Sequence, residues 1–236
     1  MQAKAVIFDY HGTLVDPWKR YLESFSQAMK KCCNSAVTDR EFIKEQRRAG
    51  TPTHKILESI LKKSGFPQPS ELAEEINNYR RALVSSPDFF RENPDTLIES
   101  AKETLQKMKK QGAKLFLVSL IPLLDHSEER KIKKLIHNQL VAYELEKEFS
   151  EVFIEITPYG KKFGNVKLNA FKKINEKNGF SSNECVVVGD SEIELNAGKT
   201  LGMKTVGVLT GMSSRERLEK LKVDRIIGSV AELELF

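Results

Sequence analysis

Short apolar runs set apart by long amphipathic stretches leave few folds open to a chain, and this sequence keeps that rhythm over most of its length. Residues 5–8, 114–119, 152–156 and 185–188 are dense in Val, Ile, Leu and Phe; a fifth run covers 204–208 and residues 224–227 read as a sixth. Most of these runs do not alternate polar with apolar residues. A strand without alternation is buried on both faces, the condition of a parallel sheet with helices above and below it. Helical periods at 96–111, 128–148, 164–178 and 193–201 fill the gaps. That order predicts right-handed crossovers and a doubly wound parallel α/β sheet.

One stretch breaks the rhythm. Between Pro17 and Asn93 there is no convincing strand, only helical periods at 18–31, 40–48, 53–64 and 71–85. Gly/Pro-bearing breaks at 50–52 and 65–69 separate them. The reading is therefore a core domain of residues 1–16 and 94–236 with an all-helical domain, residues 17–93, inserted just after the first strand. An insertion there lies over the carboxyl ends of the strands, the edge at which open α/β sheets bind ligands.

The 236 residues suffice for a large core without disulfides. The three cysteines, Cys32, Cys33 and Cys185, form no metal-binding spacing and read as reduced thiols. A net charge of +5 is mild, and the Lys and Arg residues are interleaved with acids along the helices, which argues against a nucleic-acid-binding stripe. The apolar runs fall far short of the ~20 residues that span a bilayer. The chain opens directly into its first strand with no basic-then-apolar leader, so the expected location is cytoplasmic and no membrane partner is expected.

Polar residues follow each buried run. After the first come Asp9, His11, Gly12 and Thr13; after the second, Ser119; after the third, Gly160, Lys161 and Lys162; after the fourth, Gly189, Asp190, Ser191 and Glu194. In a parallel sheet these ends lie along one edge. Two carboxylates close together repel unless a cation lies between them, and hard oxygen ligands suit Mg²⁺. A lysine and a hydroxyl opposite would hold the oxygens of an anion. Such a set can neutralise a phosphate ester so that Asp9 attacks phosphorus, splitting one hard displacement into two easier ones.

Four segments carry a resemblance: IFDYHGTLVD at 7–16, VSL around Ser119, the Gly160-Lys161 segment, and VVVGDSEIE at 186–194. In this order they resemble the four motifs of the haloacid dehalogenase (HAD) superfamily, with a Rossmann-like core, and the helical insertion resembles that family's C1-type cap. The resemblance implies a Mg²⁺-dependent phosphatase of small phosphorylated metabolites working through an aspartyl-phosphate. It makes Asp9 the nucleophile, Ser119 the phosphate-binding hydroxyl, Lys161 the stabilising lysine and Asp190 a metal ligand beside Asp9. The resemblance also implies a metal contact from the backbone carbonyl of His11 and places Gly12 and Thr13 beside the substrate; on the residues alone Gly12 reads as a turn glycine and Thr13 as a capping or packing residue.

Two positions depart from the pattern. His11 stands where the family's phosphatases carry a second Asp that protonates the leaving group; imidazole, with a pKa near 6.5, can do that work. Glu194 replaces a further Asp, and Ser191-x-x-Glu194 also reads as a capping box. His11 keeps an alternative open, a phosphate- and metal-binding protein that turns over weakly. The Asp9-Tyr10-His11-Gly12-Thr13 run slightly resembles the dehalogenase branch, and Lys55 invites comparison with the phosphonate-hydrolysing branch, but neither fits the remaining motifs. Arg47, Arg48 and Gly50 could read a substrate or form an exposed basic turn. His54, His126 and His137 read as surface residues.

Overall fold

The computed structural model describes residues 3–36, 39–159 and 163–234. In chain order the elements are β1 (Ala5–Phe8), β2 (Val15–Asp16), α1 (Trp18–Cys33), α2 (Arg40–Arg48), α3 (Thr53–Lys63), α4 (Pro69–Ser85), α5 (Pro87–Glu92), β3 (Thr96–Leu97), α6 (Ala101–Lys110), β4 (Lys114–Leu123), α7 (Glu129–Ala142), β5 (Glu151–Pro158), α8 (Phe163–Asn178), β6 (Cys185–Gly189), α9 (Glu192–Thr200), β7 (Lys204–Val208), α10 (Arg215–Lys220) and β8 (Arg225–Ile227).

Six strands form one parallel sheet in the order β5-β4-β1-β6-β7-β8. Its interior is dry on both sides, as the unbroken apolar runs require. Val6 and Phe8 pack with Leu105, Met108, Ile132 and Ile136 on the α6–α7 face. Ala5 and Ile7 pack with Phe171, Ile174, Val187 and Ala197 on the α8–α9 face. Each fully buried Leu, Ile or Phe contributes roughly 1.5–3 kcal/mol of transfer free energy, so this double layer dominates the fold's stability.

The helices between β2 and β3 build a separate apolar cluster of Leu22, Phe25, Met29, Ile43, Ile56, Leu57, Leu61 and Ile76. Local signals set their ends: Asp16 Oδ1 accepts from the Trp18 amide at 2.8 Å, Asp39 caps α2 through the Phe42 amide at 2.9 Å, and Pro69 occupies the first turn of α4. The chain leaves and re-enters the sheet region through a two-stranded antiparallel ribbon, Val15 opposite Leu97 and Asp16 opposite Thr96. No helix among the described residues is long and apolar enough to cross a membrane.

The short helices α5 and α10 have no counterpart in the sequence reading, and three other elements differ most from it. Residues 96 and 97 are the return strand β3 and not the start of a helix; a left-handed Ser100 (φ 60°) separates them from α6. The helical period read over 128–148 ends as a helix at Ala142, with Glu144 at φ 55°. The strand read as 114–119 continues to Leu123, because β5 keeps pairing with it as far as Pro158. That extension carries Leu120, Ile121 and Pro122 past the end of β1 and into the wall of a cavity.

Candidate active site

A cavity of 590 Å³ lies over the carboxyl ends of β1 and β6, with side chains from α1, α2 and α4 on its other wall. Asp9 follows β1 directly, its amide bonded to Val188 O at 2.9 Å. The chain then turns tightly, the amides of Leu14 and Val15 both donating to Tyr10 O. Gly12 is needed in that turn for two reasons: its φ is +81°, and a Cβ there would lie 2.7 Å from the Asp190 carboxylate.

Asp190, at the end of β6, is 3% exposed, and its Oδ2 accepts from the Met212 amide at 2.6 Å. Glu194, on the first turn of α9, is 2% exposed. Its carboxylate accepts from the Ser191 amide at 2.5 Å and from Ser191 Oγ at 2.8 Å, so the capping box foreseen in the sequence forms. Gly189 makes room for it, since a Cβ at that position would strike Glu194. One oxygen from each of Asp9, Asp190 and Glu194 lies within 4.8 Å of the others. Burial and the Asp9 charge both push the Asp190 and Glu194 carboxyls above their ordinary range. Three converging carboxylates, two of them out of water, form a hard-oxygen donor set that suits a divalent cation.

The segment of Gly160, Lys161 and Lys162 lies outside the described residues. Among the described residues, the lysine at the site is Lys167, on α8. Its Nζ donates to Asp9 Oδ1 at 2.5 Å and also to Val118 O, and the residue is 2% exposed. The sequence held a signal for it: Lys167 shares a helical stripe with Ala170, Phe171 and Ile174, all buried, and a lysine on an apolar face needs a partner.

Ser119 lies within β4, fully buried, and Thr13 is equally buried in the turn after Asp9. Neither hydroxyl has a hydrogen-bond partner among the described residues. A buried hydroxyl without a partner lacks an acceptor, but neither Ser119 nor Thr13 is among the residues that line the cavity.

His11 lines the cavity, its ring edge-on to Tyr10 and Phe90. Its Nδ1 meets Asp95 Oδ2 at 2.8 Å. Asp95 is fully buried and also takes a two-pronged contact from Arg20, Nε to Oδ1 at 2.9 Å and Nη2 to Oδ2 at 2.8 Å. Burial alone would raise the Asp95 carboxyl, but the charges and hydrogen bonds of Arg20 and His11 hold it well below the usual carboxylate range. Asp95 and Arg20 carry no motif, and sequence reasoning passed over both.

The family model described as haloacid dehalogenase-like hydrolase matches residues 6–208. The chain belongs to this family. Curated relatives include the pyrophosphatase PpaX of Bacillus mycoides, 24% identical over 99% of this chain and 96% of its own length. A phosphoglycolate phosphatase of Vibrio vulnificus is 24% identical over 98% of this chain and 95% of its own. Among solved structures, a predicted phosphoglycolate phosphatase from Haemophilus somnus superposes with a TM-score of 0.66 at 21% identity, covering 98% of this chain and 96% of that one. A HAD-like hydrolase from Streptococcus pneumoniae gives 0.61 at 16% identity, covering 98% and 96%.

Other residues weighed in the sequence now have places. His54, expected at the surface, lines the cavity, whereas His126 and His137 are exposed beside Glu129 and Glu146. Lys55 turns onto Glu58 at 2.8 Å and is absent from the cavity wall, so it has no place in chemistry there. Arg48 spans from the helices to the sheet region, donating to Gly211 O at 3.4 Å and stacking over Trp18.

Proposed function

We propose that this HAD-family hydrolase is a Mg²⁺-dependent phosphatase of a small phosphorylated metabolite, working through a phosphoryl group carried on Asp9. The helices of residues 17–93 act in this reading as a C1-type cap on the core of residues 1–16 and 94–236, supported by their separate apolar cluster and the ribbon joining them to the sheet. The observation that carries the proposal is the buried meeting of Asp9, Asp190 and Glu194 with Lys167 on Asp9. The relatives' names, a pyrophosphatase and phosphoglycolate phosphatases, point to the same class of reaction.

Asp9, Asp190 and the carbonyl of His11 would hold the cation, with Glu194 close enough to join them. A bound divalent ion supplies Lewis-acid neutralisation of phosphate charge. Lys167 orients the Asp9 carboxylate through its contact with Oδ1, and Ser119 and Thr13 offer their unpaired hydroxyls to phosphoryl oxygens. Lys161 remains a second candidate for that anion. An Asp9 oxygen attacks phosphorus, the ester P–O bond breaks, and the leaving oxygen takes a proton from His11 Nε2. Water then attacks the phosphoryl group, its proton passes to the same Nε2, and the Asp9–phosphorus bond breaks to release phosphate. Asp95 fixes the ring for both transfers by holding Nδ1, which leaves Nε2 as the nitrogen free for proton exchange.

The test is hydrolysis of p-nitrophenyl phosphate with Mg²⁺, expected to cease with EDTA, together with acid quenching and peptide mass spectrometry, expected to place the phosphoryl group on Asp9. Absence of turnover with Mg²⁺ present would favour the binding-protein alternative that His11 keeps open, because an activated leaving group needs little proton donation.

A further inference from the structure

The cavity's second wall holds a charge without a partner. Arg80, in the middle of α4, is 7% exposed. Its Nη1 reaches Ser24 Oγ at 3.3 Å, its guanidinium lies over the rings of Tyr21 and Phe25 at 5.3 and 5.4 Å, and its Nε has no acceptor among the described residues. No carboxylate among those residues pairs with it. Burial pushes its pKa down, as a cation removed from water without an anion requires. Ring faces return only part of what desolvation takes from a guanidinium, so a structural role alone leaves the arrangement unfavourable.

Its neighbours share the condition. Asn77, Arg80, Arg81 and Val84 follow the i, i+3, i+4, i+7 spacing, so one face of α4 lines the cavity. Asn77 is 1% exposed and its Oδ1 is unpartnered. Among the described residues, Arg81 meets Asn78 Oδ1 at 3.5 Å and the Tyr159 ring. Arg47, from α2, also lines the cavity with a buried, unpartnered Nε. The acids on the cavity wall are Asp9, Asp190 and Glu194, all in the cluster at the sheet edge. Arg20 differs from the other arginines in being matched by Asp95.

We propose that Arg80, with Asn77 and the flanking Arg47 and Arg81, is a second anion subsite, and that the substrate is a phosphomonoester bearing a further carboxylate or phosphate. This rests on the phosphatase reading of the sheet-edge cluster: one anion of the substrate is the phosphoryl group at Asp9 and the other is the missing partner of Arg80. A guanidinium matches either oxyanion through paired N–H donors.

Matched pairs of ligands test it. They are 2-phosphoglycolate against ethyl phosphate, 3-phosphoglycerate against glycerol 3-phosphate, and glucose 1,6-bisphosphate against glucose 6-phosphate, so that the arms also separate carboxylate from phosphate. Binding is measured by calorimetry on the Asp9→Asn protein with Mg²⁺, and kcat/KM on the wild type. The doubly anionic member of at least one pair should be favoured at least 10-fold in both assays. Arg80→Met should reduce that preference at least 10-fold, mainly through KM, and Arg80→Lys should fall between. The unliganded Arg80→Met protein should melt at or above the wild-type temperature, since an unpaired buried charge is removed and the apolar stem is kept. No preference in any pair, or a preference that survives Arg80→Met, overturns the subsite, and so does a lowered melting temperature with preference unchanged in Arg80→Lys. Should no monoester turn over, p-nitrophenyl phosphate included, while the binding preference persists, the phosphatase reading fails and the subsite stands.

Discussion

The two walls of the cavity are unbalanced in opposite directions. At the sheet edge, among the described residues, Asp9, Asp190 and Glu194 face the ammonium of Lys167. On the helical wall, Arg20, Arg47, Arg80 and Arg81 line the space, and of these Arg20 has a buried acid, Asp95. A cation would settle the first imbalance and an anion the second, and a metal-bound phosphate ester with a second charge does both. The walls also differ in construction. Asp9 and Asp190 ride on the ends of strands whose register is fixed by neighbours on both sides and Glu194 on the first turn of α9, while the arginines ride on helices joined to the sheet region by a short ribbon.

The comparison breaks most readily at Lys167. Lys167→Met should lower kcat on p-nitrophenyl phosphate by about 10²- to 10³-fold, the scale of losing one preorganised charge contact, while Lys161→Met should lower it far less. The reverse order would return the stabilising role to Lys161. Next comes Asp95, where the two walls meet. Asp95→Asn should lower kcat/KM for an alkyl phosphate by roughly 10- to 100-fold and leave that for an aryl phosphate within a few-fold, because kcat/KM reports the steps up to departure of the leaving group and only the poor one depends there on the proton that His11 delivers. Equal losses on both would reduce Asp95 to a structural tie between ribbon and helices.

Smaller effects sharpen the same contrast. Saturating Mg²⁺ should raise the melting temperature by about 5–10 °C, as expected of a ligand bound well above its Kd, and Asp190→Asn should abolish that shift. An unchanged melting curve in wild-type protein would remove the cation from the sheet edge. The Asp95 carboxyl is held below its ordinary range, so its contribution to stability is present above the unfolded pKa and lost as the pH falls through the folded one. The melting-temperature gap between wild type and Asp95→Asn should therefore narrow between roughly pH 5 and pH 2. A gap that widened in acid would contradict the ion-pair account.

Much of this was legible beforehand, for reasons that differ by residue. Double burial of a strand is written in its composition, so β1 and β7 emerge with the bounds read from the sequence, and α2 emerges likewise from its charge period. Asp9 and Asp190 were visible because each ends an apolar run on a lone acid. Glu194 was visible as a cap, and its approach to the other two acids was not, since that depends on how α9 sits beyond Gly189. Lys167 was overlooked because spacing ahead of a helix was weighed and the buried face of the helix was not. Asp95 and Arg80 stand in no motif: one lies in a linker 84 residues from the histidine it holds, the other in an ordinary polar helix.

The sequence by itself determined the parallel sheet, the helical insertion and the acids at the strand ends, because periodicity and burial are local properties that survive any arrangement of the elements. Only the tertiary structure showed that Lys167 reaches Asp9, which carboxylate steadies His11 and which arginine is left without a counter-charge among the described residues. Those outcomes depend on distances between side chains far apart in the chain, and electrostatic pairing in a dry interior is set by such distances and not by order along the backbone.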